Sequence, residues 1–326
     1  METINVNKFS VIPYLQPDNL AGRFICTLCF YDDGWHSWAD VGDRLMRVQM
    51  WPAEASYFGI VSEAETDLCF HFTDLFAQRA SYAEIGRPFV GLQDDIYNFG
   101  ASLAKVRWLH DSRSGIGSGV GRMVRTEIEF IVAICRSIFD LLQEIVSKLW
   151  VHVSLRVAPE TKKNLKETYS DTLLYKGSPS NADKLIERFG MPRELADCYV
   201  RSSDFFITLR QFRDNIVHRG SQVQGIFEGN DGFLIRKALV PFRDIDIWRP
   251  EERTETELVP LLPALGYVIS ETLGVCEDFS LTIGRIIDLL PPIAPGMRLF
   301  MRGYFNEVLI GALDDVKERT AAATQT

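Results

Sequence analysis

The sequence predicts a mainly α protein, an antiparallel helical bundle with a β-rich N-terminal region and a β-hairpin insertion near residues 223–240. Three observations predict it. Apolar residues recur at 3-4 spacing through residues 93–111, 122–150, 192–219 and 257–290, the period of helices that bury one face. Residues 1–88 instead carry short β-branched and aromatic runs separated by turn residues. Between Gly225-Ile-Phe and Phe233-Leu-Ile stands Asn230-Asp-Gly232, a hairpin signal. The expected organisation is a β-rich region over 1–88 and a helical domain over 89–222. A hairpin insertion over 223–250 and C-terminal helices over 251–326 packed on the bundle complete it.

The elements follow in order. Phe24–Tyr31 and Leu45–Trp51 read as strands, with Asp33-Gly34 as the turn pair in the long connection between them. Asp67–Thr73 reads as a further strand. From residue 93 the period lengthens, and Ile96, Phe99, Leu103, Val106 and His110 form a helical stripe. His110 falls on its apolar side and reads as a buried structural histidine. Ser114–Gly121 is glycine-rich, but a helix precedes it and no Gly-Lys-Ser/Thr follows. It therefore reads as a flexible connection between helices rather than a phosphate loop.

Val124, Ile128, Ile131, Cys135, Ile138, Leu142, Ile145 and Leu149 then mark the strongest helix. Its length of about 28 residues corresponds to roughly 40 Å, and such a seam wants antiparallel partners. Residues 160–190 give one or two shorter helices broken at Lys176–Ser180. Pro192 suits the first turn of a helix running to Arg219, where Gly220 provides a left-handed stop. Phe205, Leu209, Phe212 and Ile216 are its expected buried stripe. Pro291-Pro292 ends the helix over 257–290, and a last helix is expected over 297–318.

Composition narrows the function. Hydrophobic residues make up 46% and charged residues 24% of the 326, ordinary globular values. A formal charge of −9 leaves no broad basic surface for bulk nucleic acid, so any RNA contact must be local. The stretch Arg201–Arg219 does hold four arginines against two aspartates. The opening residues lack the charged and apolar regions of a signal peptide, and no apolar run is long enough to span a bilayer. A cytoplasmic protein with no membrane partner is expected. The six cysteines lie scattered in apolar segments, as reduced core residues would. Cys26-Thr-Leu-Cys29 has no second pair. His36 lies among Asp32, Asp33, Asp40 and Asp43, where turn chemistry accounts for the aspartates more simply than a metal. No metal and no cofactor are expected.

The chemistry concentrates in Arg213-Asp214-Asn215-Ile216-Val217-His218, followed by Arg219 and Gly220. A histidine moves a proton near neutral pH, and an arginine fork holds a phosphate. Asp214 and His218 are four apart and share a helix face, so the carboxylate favours the imidazolium. Arg213 and His218 are five apart, about 140° around an ideal axis, and do not converge on one helix. Two such helix ends across a twofold axis would bring both residue types into one cleft.

The pattern arginine, polar residue, three positions, histidine near the end of a long helix resembles the HEPN superfamily, α-helical domains of prokaryotic toxins, defence proteins and nucleases. Arg213, Asp214 and His218 match it, and the long helices upstream at about 93–111 and 122–150 fit its fold over residues 90–220. What the resemblance implies is a metal-independent endoribonuclease acting as a homodimer and leaving cyclic phosphate ends. Arg213, His218 and Asp214 would be catalytic, while Arg210, Asn215 and Arg219 would help bind substrate. Its implied partners are RNA or a nucleotide, a second copy of the chain and an antitoxin. The superfamily also holds inactive members, so a non-catalytic module binding nucleotide, RNA or protein is the competing reading.

Overall fold

The computed structural model describes residues 6–42, 44–152, 162–219, 223, 225–238 and 242–323. In chain order come β1 (Cys29–Tyr31), β2 (Trp35–Val41), β3 (Arg44–Val48), β4 (Ala55–Gly59), α1 (His71–Gln78), α2 (Gly86–Asp111), α3 (Arg113–Ile116) and α4 (Val120–His152). Then follow α5 (Tyr169–Leu173), β5 (Leu174–Tyr175), β6 (Ser178–Pro179), α6 (Ala182–Phe189), α7 (Arg193–Arg201) and α8 (Ser203–Arg219). Last are β7 (Phe227–Glu228), β8 (Phe233–Arg236), β9 (Leu258–Pro260), α9 (Leu261–Ile286), β10 (Arg298–Arg302) and α10 (Asn306–Ala323). Helix takes 56% and strand 14%, so the chain is mainly α, with a mixed sheet at its N-terminal region. It divides into two compact units, one of residues 1–94, 140–201 and 276–304, the other of 95–139, 202–275 and 305–326.

In the first unit the sheet runs β10-β4-β1-β2-β3, with β1 and β4 parallel and the other pairs antiparallel. Three expectations are corrected here. The first strand is shorter than Phe24–Tyr31, and its hairpin turn leads to β2 rather than to residue 45. Asp33 takes φ 51° in that turn, a conformation aspartate tolerates better than most side chains. The polar stretch Trp-His-Ser-Trp-Ala-Asp-Val of β2 offered no alternation to read. Asp67–Thr73 forms no continuous strand, and only Leu68 bridges Met301 of β10. The Asp67 carboxylate is held by the Tyr57 hydroxyl (2.6 Å) and the Ala64 amide (3.0 Å), and a helix begins at His71. Phe72, Leu75 and Phe76, spaced i, i+3, i+4, are buried along that helix. Finally, residues 298–302, expected within the last helix, form β10 and pair with β4 across more than 200 residues of sequence.

The remainder of this unit follows local rules. Tyr175 and Ser178 are joined through Lys176 (φ 52°) and Gly177 (φ 84°), the left-handed pair that a two-residue hairpin loop requires. Arg23 is only 1% exposed, and its guanidinium bonds chain segments at Asn19, Ser81 and Pro291.

The long helices keep more closely to expectation. The α2 stripe of Ile96, Phe99, Leu103 and Val106 is buried, and α2 begins seven residues before position 93. Every α4 stripe position from Val124 to Leu149 is at most 1% exposed. Burial of such a stripe is the main source of helix stability. Ile138→Ala is expected to cost about 2–5 kcal/mol, since Ile138 is buried at 1% exposure and truncation leaves a cavity. Urea unfolding checks it, and a loss below about 0.5 kcal/mol would show that the site is not core.

Two further boundaries move in the second unit. The glycine-rich 114–121 segment takes short helical turns, Arg113–Ile116 and Gly117–Gly119, instead of an open connection. The expected hairpin forms as β7–β8 but gains a third strand, because Leu258–Pro260 pairs with β8 before α9 begins at Leu261. Gly100 and Gly266 let α10 and the residue before it approach closely. A Cβ at Gly100 would stand 2.8 Å from the Phe305 carbonyl oxygen, and one at Gly266 3.1 Å from that of Ala312.

Candidate functional site

The helix expected from Pro192 to Arg219 is two helices, α7 and α8, divided at Ser202. Serine favours the N-cap, and the Ser202 carbonyl accepts the Phe206 amide (3.0 Å) to open the α8 ladder. Before the break, α7 belongs to the first unit and is fixed there. The Arg201 guanidinium is bidentate on Asp278 (2.7 and 2.9 Å), which raises its pKa further. Cys198 Sγ sits 3.1 Å from the Thr282 hydroxyl. Arg201 is therefore a tether outside the motif, and the basic island of the sequence contracts to α8.

The buried stripe of α8 is Phe206, Leu209 and Phe212, each fully buried. Phe205 and Ile216, expected in that stripe, are only half-buried, so the helix is rotated by about one residue from the expected face. The rotation follows from Phe206. Its ring packs 5.3 Å from that of Phe139 on α4, and the Arg136 guanidinium lies 4.6 Å over its face.

On an ideal helix Phe206, Arg210 and Arg213 at i, i+4 and i+7 share one stripe. The half-buried Arg136 thus packs on α8 at Phe206, one helical turn before Arg210. Sequence reasoning missed this residue. Its signal in the sequence is only a charged position off the apolar stripe of α4.

Arg210, Arg213 and Asp214 come together. Arg213 Nη1 stands 3.3 Å from Asp214 Oδ1, and Arg210 Nε stands 3.6 Å from Oδ2. All three side chains are 40–51% exposed. The carboxylate is thus shared between two guanidinium groups, one on each oxygen. Asn215 is half-buried beside them in sequence. His218 and Arg219 lie on the last turn of α8, and their side chains fall outside the described residues. Gly220, the expected left-handed stop, also lies outside them.

Exposed ion pairs contribute about 0–1 kcal/mol. Asp214→Asn is accordingly expected to change stability by less than about 1 kcal/mol in thermal unfolding. A loss several times larger would make the triad a structural strut.

The other sequence candidates resolve as structure. His110 is buried, its Nε2–H donating to the Gly229 carbonyl (3.0 Å) and its ring edge-on to Phe233, so it holds the β7–β8 hairpin to α2. Arg47 donates to His36 Nδ1 (2.8 Å), and Asp40 pairs with Lys8. Cys29, Cys135, Cys198 and Cys276 are buried free thiols, whereas Cys69 is exposed and departs from the core expectation. Burial pushes the Cys135 thiol up to about 12, so it stays protonated. Among the described residues no three His, Cys, Asp or Glu side chains group as metal ligands do, and no helix is long and apolar enough to cross a membrane.

Compared with known proteins, the chain matches no protein-family model, no curated protein and no solved structure.

Proposed function

We propose that this chain is a metal-independent endoribonuclease of the HEPN type, active as a homodimer in a toxin or phage-defence setting. The observation that supports it most is the meeting of Arg210 and Arg213 on one carboxylate within α8, one helical turn before His218. Two guanidinium groups that share an anion of this size can share the non-bridging oxygens of a phosphodiester. The pair with Asp214 is exposed and weak, so an RNA phosphate can displace it.

The reaction needs a proton carrier and a fixed cation, both of which the motif supplies. A histidine takes the proton of the ribose 2′-hydroxyl, whose oxygen bonds to phosphorus. The bond from phosphorus to the 5′ oxygen breaks, and a second histidine gives that oxygen a proton. The products are a 2′,3′-cyclic phosphate and a free 5′-hydroxyl. Arginines balance the charge that grows on the non-bridging oxygens. Positions five apart stand about 140° around an ideal helix, so a second copy would complete the set of Arg213 and His218 groups around one phosphate.

The test is labelled single-stranded RNA incubated with the wild-type chain in EDTA. Cleavage with cyclic phosphate ends is expected, and the active species should elute as a dimer. Loss of cleavage in EDTA sinks the mechanism. If no RNA is cleaved under any condition, the function becomes that of a non-catalytic binding module.

A further inference from the structure

A second cation-lined site lies in the same unit, on a segment that the motif does not use. The chain between β8 and β9 folds over α10 and leaves a cavity of about 320 Å³, within the usual size of small-ligand pockets. Its lining includes Asp246, Ile247, Trp248, Arg249, Arg253 and Arg319.

The wall is rigid. Trp248, nearly buried, donates its indole N–H to the Pro260 carbonyl (2.9 Å). Arg319, with a side chain 6% exposed, holds both oxygens of Glu252 (2.6 and 2.8 Å) and Asp315 (2.7 Å). Those carboxylates raise its pKa, so it is a fixed cation whose donors are already spent.

The mouth differs. Asp246 Oδ1 accepts from Lys237 (3.0 Å) and from Arg253, so the single lining carboxylate is offset by two cations. Arg249 and Arg253 flank the short 3₁₀ turn Pro250–Glu252 and are both exposed. With Arg319 taken up by Glu252 and Asp315, the mouth sets Lys237, Arg249 and Arg253 against Asp246, a local excess of cations that suits an anion. Ile247, Trp248 and Ala322 give it an apolar wall. A carboxylate satisfies one arginine fork, whereas a phosphate presents three terminal oxygens to two.

We propose that this cavity binds a small phosphate monoester, with Arg249 and Arg253 on the phosphate and the Ile247–Trp248 wall against its apolar body. This inference does not rest on the nuclease reading.

The experiment is calorimetric titration of the full chain with phenyl phosphate and with inorganic phosphate. Saturable binding is expected for both, tighter for phenyl phosphate because of its ring. The Arg249→Ala/Arg253→Ala double variant should bind at least about tenfold more weakly, the loss expected when charge-assisted hydrogen bonds are removed. Asp246→Asn should bind more tightly, a gain that a folding defect cannot imitate. Arg213→Ala should bind as wild type does, which separates this cavity from the α8 motif. The proposal is overturned by the absence of saturable heat up to about 10 mM ligand, a concentration that fills even a millimolar site. It is equally overturned by an unaltered double variant, or by weakening in Arg213→Ala in its place.

Discussion

Replacing His218 by alanine is expected to lower RNA cleavage by about 10²–10⁴-fold, the range a positioned proton carrier contributes. Arg213→Ala should do comparable damage by releasing the scissile phosphate and removing charge balance as the reaction proceeds. The two losses should not add. A phosphate that is not held presents no hydroxyl for the base, so the double variant should resemble the worse single. Neither change should unfold the chain. Arg213 is half exposed, and the buried stripe of α8 runs through Phe206, Leu209 and Phe212. The measurement is single-turnover cleavage of labelled RNA by wild type and each variant, alongside circular dichroism. Full activity in His218→Ala eliminates the proton-transfer role. A mixed dimer with Arg213→Ala in one subunit and His218→Ala in the other, compared with one carrying both substitutions in a single subunit, reads out whether the subunits share a cleft.

The second large effect concerns Arg23. Its side chain, nearly inaccessible to water, donates to the Ser81 hydroxyl (2.9 Å) and to the carbonyls of Asn19 (3.2 Å), Pro291 (2.6 Å) and Gln78. Burial pulls its pKa down to about 10, so the guanidinium remains charged at neutral pH and keeps the donors of these four bonds. Alanine would strand those acceptors away from water and leave a void.

An unsatisfied buried polar group costs about 1–3 kcal/mol, and several lie here together. Arg23→Ala is expected to destabilise by about 3–5 kcal/mol, as several stranded neutral acceptors and a cavity combine. Arg23→Lys should recover little, because one ammonium cannot span segments that the planar fork reaches. Denaturant unfolding of both variants decides it. A loss below about 1 kcal/mol would mean that water replaces the side chain.

Some of this molecule was legible in the sequence because its causes are local. The 3-4 stripes of α2, α4 and α9 encode one buried face each, and Ile96, Ile131, Ile138 and Ile269 are all buried as the spacing required. The β7–β8 hairpin was legible for the same reason, its turn chemistry lying between two short apolar runs. His110 was read correctly because a histidine on an apolar stripe needs only one nearby carbonyl to be satisfied, here that of Gly229.

What the sequence alone left undetermined depends on partners distant along the chain. β10 is a strand because β4 offers it a ladder, and nothing within Arg298–Arg302 announces that pairing. β9 likewise exists through β8. Asp67–Thr73 has the composition of a strand, yet Tyr57 and Ala64 take the Asp67 carboxylate, Leu68 alone bridges β10, and a helix begins at His71. The split of the motif helix at Ser202 depends on Asp278 and Thr282 holding α7.

At the candidate site, Arg213, Asp214 and His218 were visible as a motif because adjacent residues on one helix keep a fixed spacing. Arg136 was not, because only tertiary packing lays α4's guanidinium over Phe206. Periodicity determines which face of a helix is buried. What that face meets, and so which charges surround α8, is decided by the rest of the chain.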